Sequence, residues 1–344
     1  MMTDAAASTP VKMSTRGLSN LAFREVERNS ANAMPRNMRP TGTASSGITK
    51  PPTTMMATPM SKSRRARVPS SLEIMEQPYP ADLLSIARSI AQEAGELALT
   101  TRRRGVEVAA TKSTQTDIVT FADQAVQDFV RSRLAELRPN DGFFGEEDGG
   151  SHSSSGLTWV VDPIDGTVNY LYDIPSWAVS IAVVEGEPDP SSWTALAGAV
   201  INPSIGETYT ATRGGGAFLG EQQIFTAQQH DLALALVGTG FGYSAEKRGR
   251  QAKMLAEVLP RVRDIRRAGA CSLDLCAVAS GRNDAYFEHG VKPWDHAAGA
   301  LIAREAGAQV GGFRGAREGE ELTLAANPTL FVALEELLNS HRIE

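Results

Sequence analysis

The sequence predicts a layered α/β protein, and three features of its 344 residues predict it. Helix-period apolar spacing begins at Ala81, a series of short β-type runs follows, and beyond residue 230 apolar strands alternate with amphipathic helices. With 42% of its residues hydrophobic, the chain is long enough to bury a sizeable core.

Residues 1–78 stand outside that pattern. They are rich in Ser, Thr, Pro, Ala, Met and Arg and hold nine of the ten methionines. Such a segment cannot bury enough apolar surface to offset its ordering entropy, so it is predicted to be a disordered N-terminal extension. Its composition admits three origins, of which the first two are favoured: a translation start assigned too far upstream, a flexible tail, or an Arg-rich, acid-poor transit peptide. The Arg pair in "SRRARVPS" is followed by no hydrophobic segment, so export is discounted.

The ordered part then reads in sequence. "ADLLSIARSIAQEAGELALTTRRR" places apolar residues at 83, 84, 87, 90, 91, 94, 97 and 98, the spacing of one buried helix face. "FADQAVQDFVRSRLAELR" predicts a second helix. The runs "WVV", "WAVSIAVVEG", "TALAGAVI" and "ETYTATR", separated by Gly or Pro clusters, predict a largely antiparallel sheet. The glycines of "RGGGAF" lack the spacing of a nucleotide-binding loop and are assigned to a hairpin turn. Farther on, strands are expected at "LALALVGT", "NDAYFE" and "LTLAA", and helices at "AEKRGRQAKMLAEVL", "WDHAAGALIAREAG" and "TLFVALEELLN". The division predicts an N-terminal α+β subdomain over 79–225 and a C-terminal α/β subdomain over 226–344.

Charge narrows the function. Residues 1–75 carry 11 Lys or Arg against 4 Asp or Glu, while the remainder carries 23 against 36. The folded part is therefore acidic, which argues against nucleic-acid or anionic-membrane binding. No run of apolar residues is long enough for a transmembrane helix. The two cysteines, Cys271 and Cys276, lie in the apolar helix-like run "GACSLDLCAVASG" and fit free buried thiols of a reducing, cytoplasmic compartment. The five histidines form no H-x3-H pair, so a zinc hydrolase has little support.

Carboxylates gather at element ends. In "WVVDPIDGTVNY", Asp162 follows an apolar strand, Asp165 stands three residues on, and Gly166-Thr167 permits a turn and a helix start. "GFFGEEDGG" puts Glu146 and Glu147 after a short strand, and "VKPWDHAAGA" puts Asp295 in the first turn of a helix. "KSTQTDIVTFAD" adds Lys112, Asp117 and Asp123. Taken singly, each acid fits an ordinary turn, loop or helix-start residue. Converging without counter-charge, they would repel or protonate, a conflict that hard divalent ions with oxygen ligands resolve.

"WVVDPIDGTVNY" resembles the first signature of the inositol monophosphatase family, and "WDHAAGALIAREAGA" resembles its second. "GEE", "DIVTFAD" and "RGGGAF" match family segments in the same order, so the resemblance spans essentially residues 80–340. It implies an α-β-α-β-α sandwich of the sugar-phosphatase type. It also implies a metal-activated water attacking a phosphate monoester, with no protein nucleophile, and two or three Mg²⁺ ions. Glu146 and Asp162, assisted by the carbonyl of Ile164, would hold one ion. Asp162, Asp165 and Asp295 would hold a second, and a third would sit near Glu146.

By the same resemblance, Thr167 bonded to Asp117 would orient and deprotonate the water alongside Glu146. The backbone of Gly166 and Thr167 would bind phosphate, and Asp165 and Asp295 would border the substrate. Gly269, Ala270 and Cys271 would face the substrate, and Glu288 would contact one of its hydroxyls. Lys112 and Asp123 are assigned supporting or surface places, and Glu147 a place behind the ligands. The implied substrate is a small phosphorylated polyol or sugar, with inositol 1-phosphate leading. Histidinol phosphate is the alternative, and a non-catalytic interaction or regulatory module on this fold the alternative of another class. Lithium sensitivity and a homodimer follow from family analogy.

Overall fold

The structure, a computed structural model, describes residues 80–106, 108–111, 118–147, 149–186 and 188–341, and these belong to one compact unit. The predicted extension over 1–78 lies outside the described residues, as do Lys112 and Asp117.

Helix α1 (Pro80–Arg104) buries Leu83, Ala87, Ile90, Ala91, Ala94 and Ala98, the face its spacing predicts. A ribbon of β1 (Val108–Thr111) and β2 (Ile118–Thr120) leads into α2 (Phe121–Leu137). That helix opens on a capping box: the Thr120 hydroxyl accepts from the Asp123 backbone N–H, and the Asp123 carboxylate accepts from Thr120 N at 2.8 Å.

The first sheet is built from β3 (Gly142–Gly145), β4 (Gly149–Ser151) and β5 (Leu157–Asp165). After the short helix α3 (Thr167–Tyr172) it continues through β6 (Ala178–Glu185), β7 (Thr194–Asn202), β8 (Glu207–Thr212), β9 (Gly216–Leu219) and β10 (Gln222–Ile224). The spatial order is β10-β9-β8-β7-β6-β5-β3-β4. Only β3 and β5 pair in parallel; the other neighbours are antiparallel, as the short runs separated by turns predict.

The second half contains β11 (Leu236–Thr239), α4 (Ala245–Val258), β12 (Asp264–Arg266), α5 (Cys271–Ala279) and β13 (Ala285–Glu288). It ends with α6 (Pro293–Glu305), β14 (Gln309–Gly311), β15 (Thr323–Ala326) and α7 (Pro328–Ser340). These strands form a five-stranded sheet in the order β12-β11-β13-β15-β14, with β11 parallel to β12 and β13. The expected strand over "LALALVGT" is only half strand. Asp231 caps Ala233 N at 3.0 Å, and Leu232–Leu234 coils into a 3₁₀ turn before β11 begins.

Side-chain alternation sorts the layers. Val161, Val179, Ile181, Val183 and Ala199 of the eight-stranded sheet pack against α1 and α2. Val160, Ala182, Val184 and Val200 point the other way, into α5 and α6, which also meet Tyr286 and Ala325 of the five-stranded sheet. Phe287, Leu324 and Ala326 on that sheet's far face pack on α4 and α7. The result is the five-layer α-β-α-β-α sandwich. Glu305 of α6 accepts from Gly214 N and Gly216 N at 2.8 and 2.9 Å, pinning the β8–β9 hairpin turn. Among the described residues, no helix is long and apolar enough to cross a membrane.

Candidate active site

The site begins with an irregularity in β5. Asp162 pairs with Ser180 and Asp165 with Ala178, so three steps along β5 face two along β6. The extra residue falls beside Pro163, which has no N–H to give the ladder, and a bulge re-aims the chain. The strand therefore runs through both aspartates instead of ending before them. Asp162 Oδ1 accepts from Ile164 N at 3.1 Å. Gly166 follows at φ 92°, where a Cβ would also lie 3.0 Å from Ser176 O and 3.2 Å from Gly269 O, so both conformation and space demand glycine. Gly166 is the N-cap of α3, and Thr167 is its first helical residue, one position later than a capping role requires.

The Thr167 hydroxyl lies 3.2 Å from Asp123 Oδ1 and 3.1 Å from Ile164 O and donates to these acceptors. The expected partner, Asp117, lies outside the described residues. Asp123, expected at a supporting or surface place, takes a supporting one, fully buried under Thr167. The reason is its capping box, which turns the carboxylate inward at the start of α2. Burial raises its pKa to about 7, with the charges of Glu146 and Glu147 adding to the rise and the Thr120 hydrogen bonds opposing it.

Asp165 reaches across to the second half of the chain. Its Oδ1 accepts from Cys271 N at 3.2 Å, and its Oδ2 from Ser272 N at 2.7 Å and from the Ser272 hydroxyl at 2.5 Å, at the start of α5. Burial lifts its pKa to about 6 against those donors. Asp295, in the first turn of α6, accepts from Lys292 N at 2.7 Å. Its pKa lies well above the carboxylate range, first because of burial and then because Glu146 and Asp165 face it. The edge-on contact of Phe144 with Trp294, centroids 5.5 Å apart, ties the strand before Glu146 to the helix bearing Asp295.

These groups line one cavity of about 450 Å³, with Glu146, Asp162, Ile164, Asp165, Thr167 and Asp295 at its wall. Gly166, Gly269, Cys271 and Glu288 line it too, whereas Ala270 does not: its side chain packs where a Cβ on Gly166 would go. Glu147 is also absent from the wall; its N–H donates to Gln127. Glu288 Oε2 accepts from the Tyr286 hydroxyl at 2.7 Å, and burial raises its pKa to about 7 despite that bond and the nearby Arg267.

The donor set is four carboxylates and a backbone carbonyl, all hard oxygens, and Glu146 and Asp165 both raise the pKa of Asp295. That set fits a divalent cation such as Mg²⁺. Among the described residues no three His, Cys, Asp or Glu side chains are gathered closely enough to hold a metal ion as they stand. Asp165 and Asp295 turn oxygens onto N–H and O–H donors.

Sequence reasoning passed over four residues that shape this wall. Ser272 and Tyr286 donate hydroxyls to Asp165 and Glu288, and Arg267 adds a cation to the cavity. Asn169 Nδ2 donates to Ser176 O at 2.6 Å and Ala268 O at 2.8 Å, fastening α3 to the segment before α5. Its partner at Ala268 lies 99 positions away, so no local pattern announces it. Asp123 did carry a local signal, the T-x-x-D spacing of a capping box.

The comparisons agree with this architecture. The family model described as the inositol monophosphatase family matches residues 80–342. A Mycobacterium tuberculosis protein named inositol-1-monophosphatase SuhB is 46% identical over 252 residues, covering 67% of this chain and 84% of that one. A Pseudomonas aeruginosa protein named Nus factor SuhB is 35% identical over 268 residues, covering 75% and 96%. The crystal structure of the extragenic suppressor protein suhB from Bartonella henselae superposes with a TM-score of 0.69 at 31% identity, covering 75% of this chain and 98% of that one. Residues 80–342, which contain every described wall of the cavity, thus place the chain in the inositol monophosphatase family.

Proposed function

We propose that this chain is a Mg²⁺-dependent phosphomonoesterase whose substrate is inositol 1-phosphate. The observation that carries the reading is the convergence of Glu146, Asp162, Asp165 and Asp295 on a cavity that Thr167 also lines, with Asp123 buried behind its hydroxyl. Glu146, Asp162 and the Ile164 carbonyl would hold one ion, and Asp162, Asp165 and Asp295 a second. Bound there, Mg²⁺ neutralises phosphate oxygens and acidifies a water.

The chain's own groups do the rest. Asp123 accepts from the Thr167 hydroxyl, which fixes that hydroxyl to orient the attacking water and pass its proton on, beside Glu146. In this reading Asp123 joins Asp117, to which the resemblance assigns the same hydroxyl. The N–H groups of Gly166 and Thr167 hold the phosphate at the turn before α3. Gly269 and Cys271 border the polyol, and Glu288 accepts a hydrogen bond from one of its hydroxyls. Inhibition by Li⁺, a homodimer and a cytoplasmic location belong to the same reading.

A second reading, a non-catalytic interaction module, is favoured by the name Nus factor carried by the Pseudomonas aeruginosa relative. The full set of carboxylates weighs against it, because a binder can lose one at little cost.

The deciding experiment measures phosphate release from inositol 1-phosphate and from histidinol phosphate with Mg²⁺, each with and without Li⁺. Lithium-sensitive preference for inositol 1-phosphate is the expected result. Preference for histidinol phosphate would replace the substrate and keep the metal chemistry. Hydrolysis of neither by Mg²⁺-saturated protein would favour the interaction module.

A further inference from the structure

We propose that Ser272 is a positioning residue whose hydroxyl holds the Mg²⁺ affinity of the site down, by spending an oxygen of Asp165. The inference rests on Asp165 being a metal ligand, as argued above.

An ionised carboxylate offers about four lone-pair directions. On Asp165, Oδ2 accepts from both Ser272 N, at 2.7 Å, and Ser272 Oγ, at 2.5 Å, while Oδ1 accepts from Cys271 N at 3.2 Å. Both directions on Oδ2 are thus taken, and Oδ1 alone retains a free one for an ion. Ser272 is fully buried and Asp165 is 7% exposed, so solvent cannot take over the hydroxyl's place cheaply.

The three donors do different things. The two backbone N–H groups belong to the first turn of α5, and they fix the carboxylate's orientation with or without a side chain at position 272. The hydroxyl is the third donor on an already oriented group. A charge-assisted hydrogen bond draws negative charge from the oxygen that receives it. Its main effect is therefore on charge: it weakens Asp165 as a ligand without being needed to aim it. Loss of the hydroxyl returns that charge, and one direction on Oδ2, to a bound cation. Loss of an outer partner usually costs about 10–100-fold in affinity; the opposite sign is expected here because the two backbone N–H groups already orient Asp165.

The test is calorimetric titration of Mg²⁺ into the metal-free full chain. Variants are Ser272→Ala, Ser272→Cys, which keeps the shape with a weak donor, and Ser272→Thr, which restores a hydroxyl. The expected result is a Mg²⁺ Kd lower by about tenfold in the Ala and Cys variants and near wild type in the Thr variant. The Mg²⁺ concentration giving half-maximal activity should fall in parallel. A merely structural role would weaken binding through disorder, not tighten it. An unchanged or raised Kd in a folded Ala or Cys variant overturns the proposal while leaving the metal assignment in place. No Mg²⁺ binding by the wild-type chain overturns the metal assignment and this inference with it.

Discussion

The hydroxyl of Thr167 stands 3.2 Å from Oδ1 of Asp123, 44 positions earlier in the chain, and both side chains are buried. The carboxylate's other oxygen is occupied by Thr120, so one end anchors Asp123 and the other serves Thr167. Asp123→Asn keeps an acceptor for the cap but cannot take a proton. The expected outcome is a loss of about 10²–10⁴-fold in kcat at saturating Mg²⁺. The far-UV circular dichroism spectrum should stay that of wild type. Turnover within a few-fold of wild type would remove Asp123 from the proton path.

Glu288 offers a test that separates substrate choice from chemistry. Its carboxylate sits against Gly240, where any Cβ would collide with it, and takes the Tyr286 hydroxyl on Oε2. Glu288→Gln weakens one charged hydrogen bond to the polyol, worth about 1.5–3 kcal/mol. The KM for inositol 1-phosphate should rise at least about tenfold with kcat little changed, the pattern of lost uniform binding. Hydrolysis of p-nitrophenyl phosphate, which has no hydroxyl to offer, should be unaffected. Equal losses on both substrates would place Glu288 in the metal chemistry instead.

What the sequence announced and what it hid differ in range. The 3.6-residue spacing of α1 and the run of short β segments are local, and both emerge as read. The acidic pair at Asp162 and Asp165 was legible because two carboxylates at the end of an apolar strand need a counter-charge. The bulge beside Pro163 was not, since it depends on register with β6. The reach of Asp123 to Thr167 was hidden for a similar reason. Asp123 stands at a helix start, and only the inward turn of the α2 cap carries its carboxylate to that hydroxyl. Contacts such as Asn169 to Ala268 and Asp165 to Ser272 join positions about a hundred residues apart, where sequence patterning carries no signal.

Stability should depend on pH in a direction set by the same buried acids. Folding raises the pKa of Asp123, flanked by Thr120, Thr167, Glu146 and Glu147, from 3.8 to about 7. It raises that of Glu288, near Tyr286, Arg267 and Asp165, from 4.5 to about 7. Between about pH 4 and 7 the folded chain therefore binds more protons at these sites than the unfolded one, so their contribution falls as pH rises. His296, buried and lowered to about 4, acts oppositely between that value and 6.5. The clean measurement is therefore a difference: in EDTA, Asp123→Asn combined with Glu288→Gln should gain melting temperature over wild type at pH 8 relative to pH 5. Mg²⁺ should raise the wild-type melting temperature more at pH 8, where its ligands are ionised. A variant-minus-wild-type difference that is flat with pH would show that these two acids are not held protonated by folding.

Packing between sheet and helix supplies a last prediction, in which one substitution has opposite signs at two glycines. A Cβ on Gly198 of β7 would lie 3.1 Å from Ala298 Cα, so it would press on the backbone of α6, which no rotamer change relieves. Gly198→Ala should therefore cost about 1–3 kcal/mol, as overpacked cores do. Gly249, in the middle of α4, has nothing within 4 Å of the same built atom. There Gly249→Ala removes conformational freedom from the unfolded chain and should add about 0.5–1 kcal/mol. Urea unfolding of both variants, with m-values near wild type, measures the pair. A destabilised Gly249→Ala or a neutral Gly198→Ala would mean that α6 and α4 do not pack on the sheets as described.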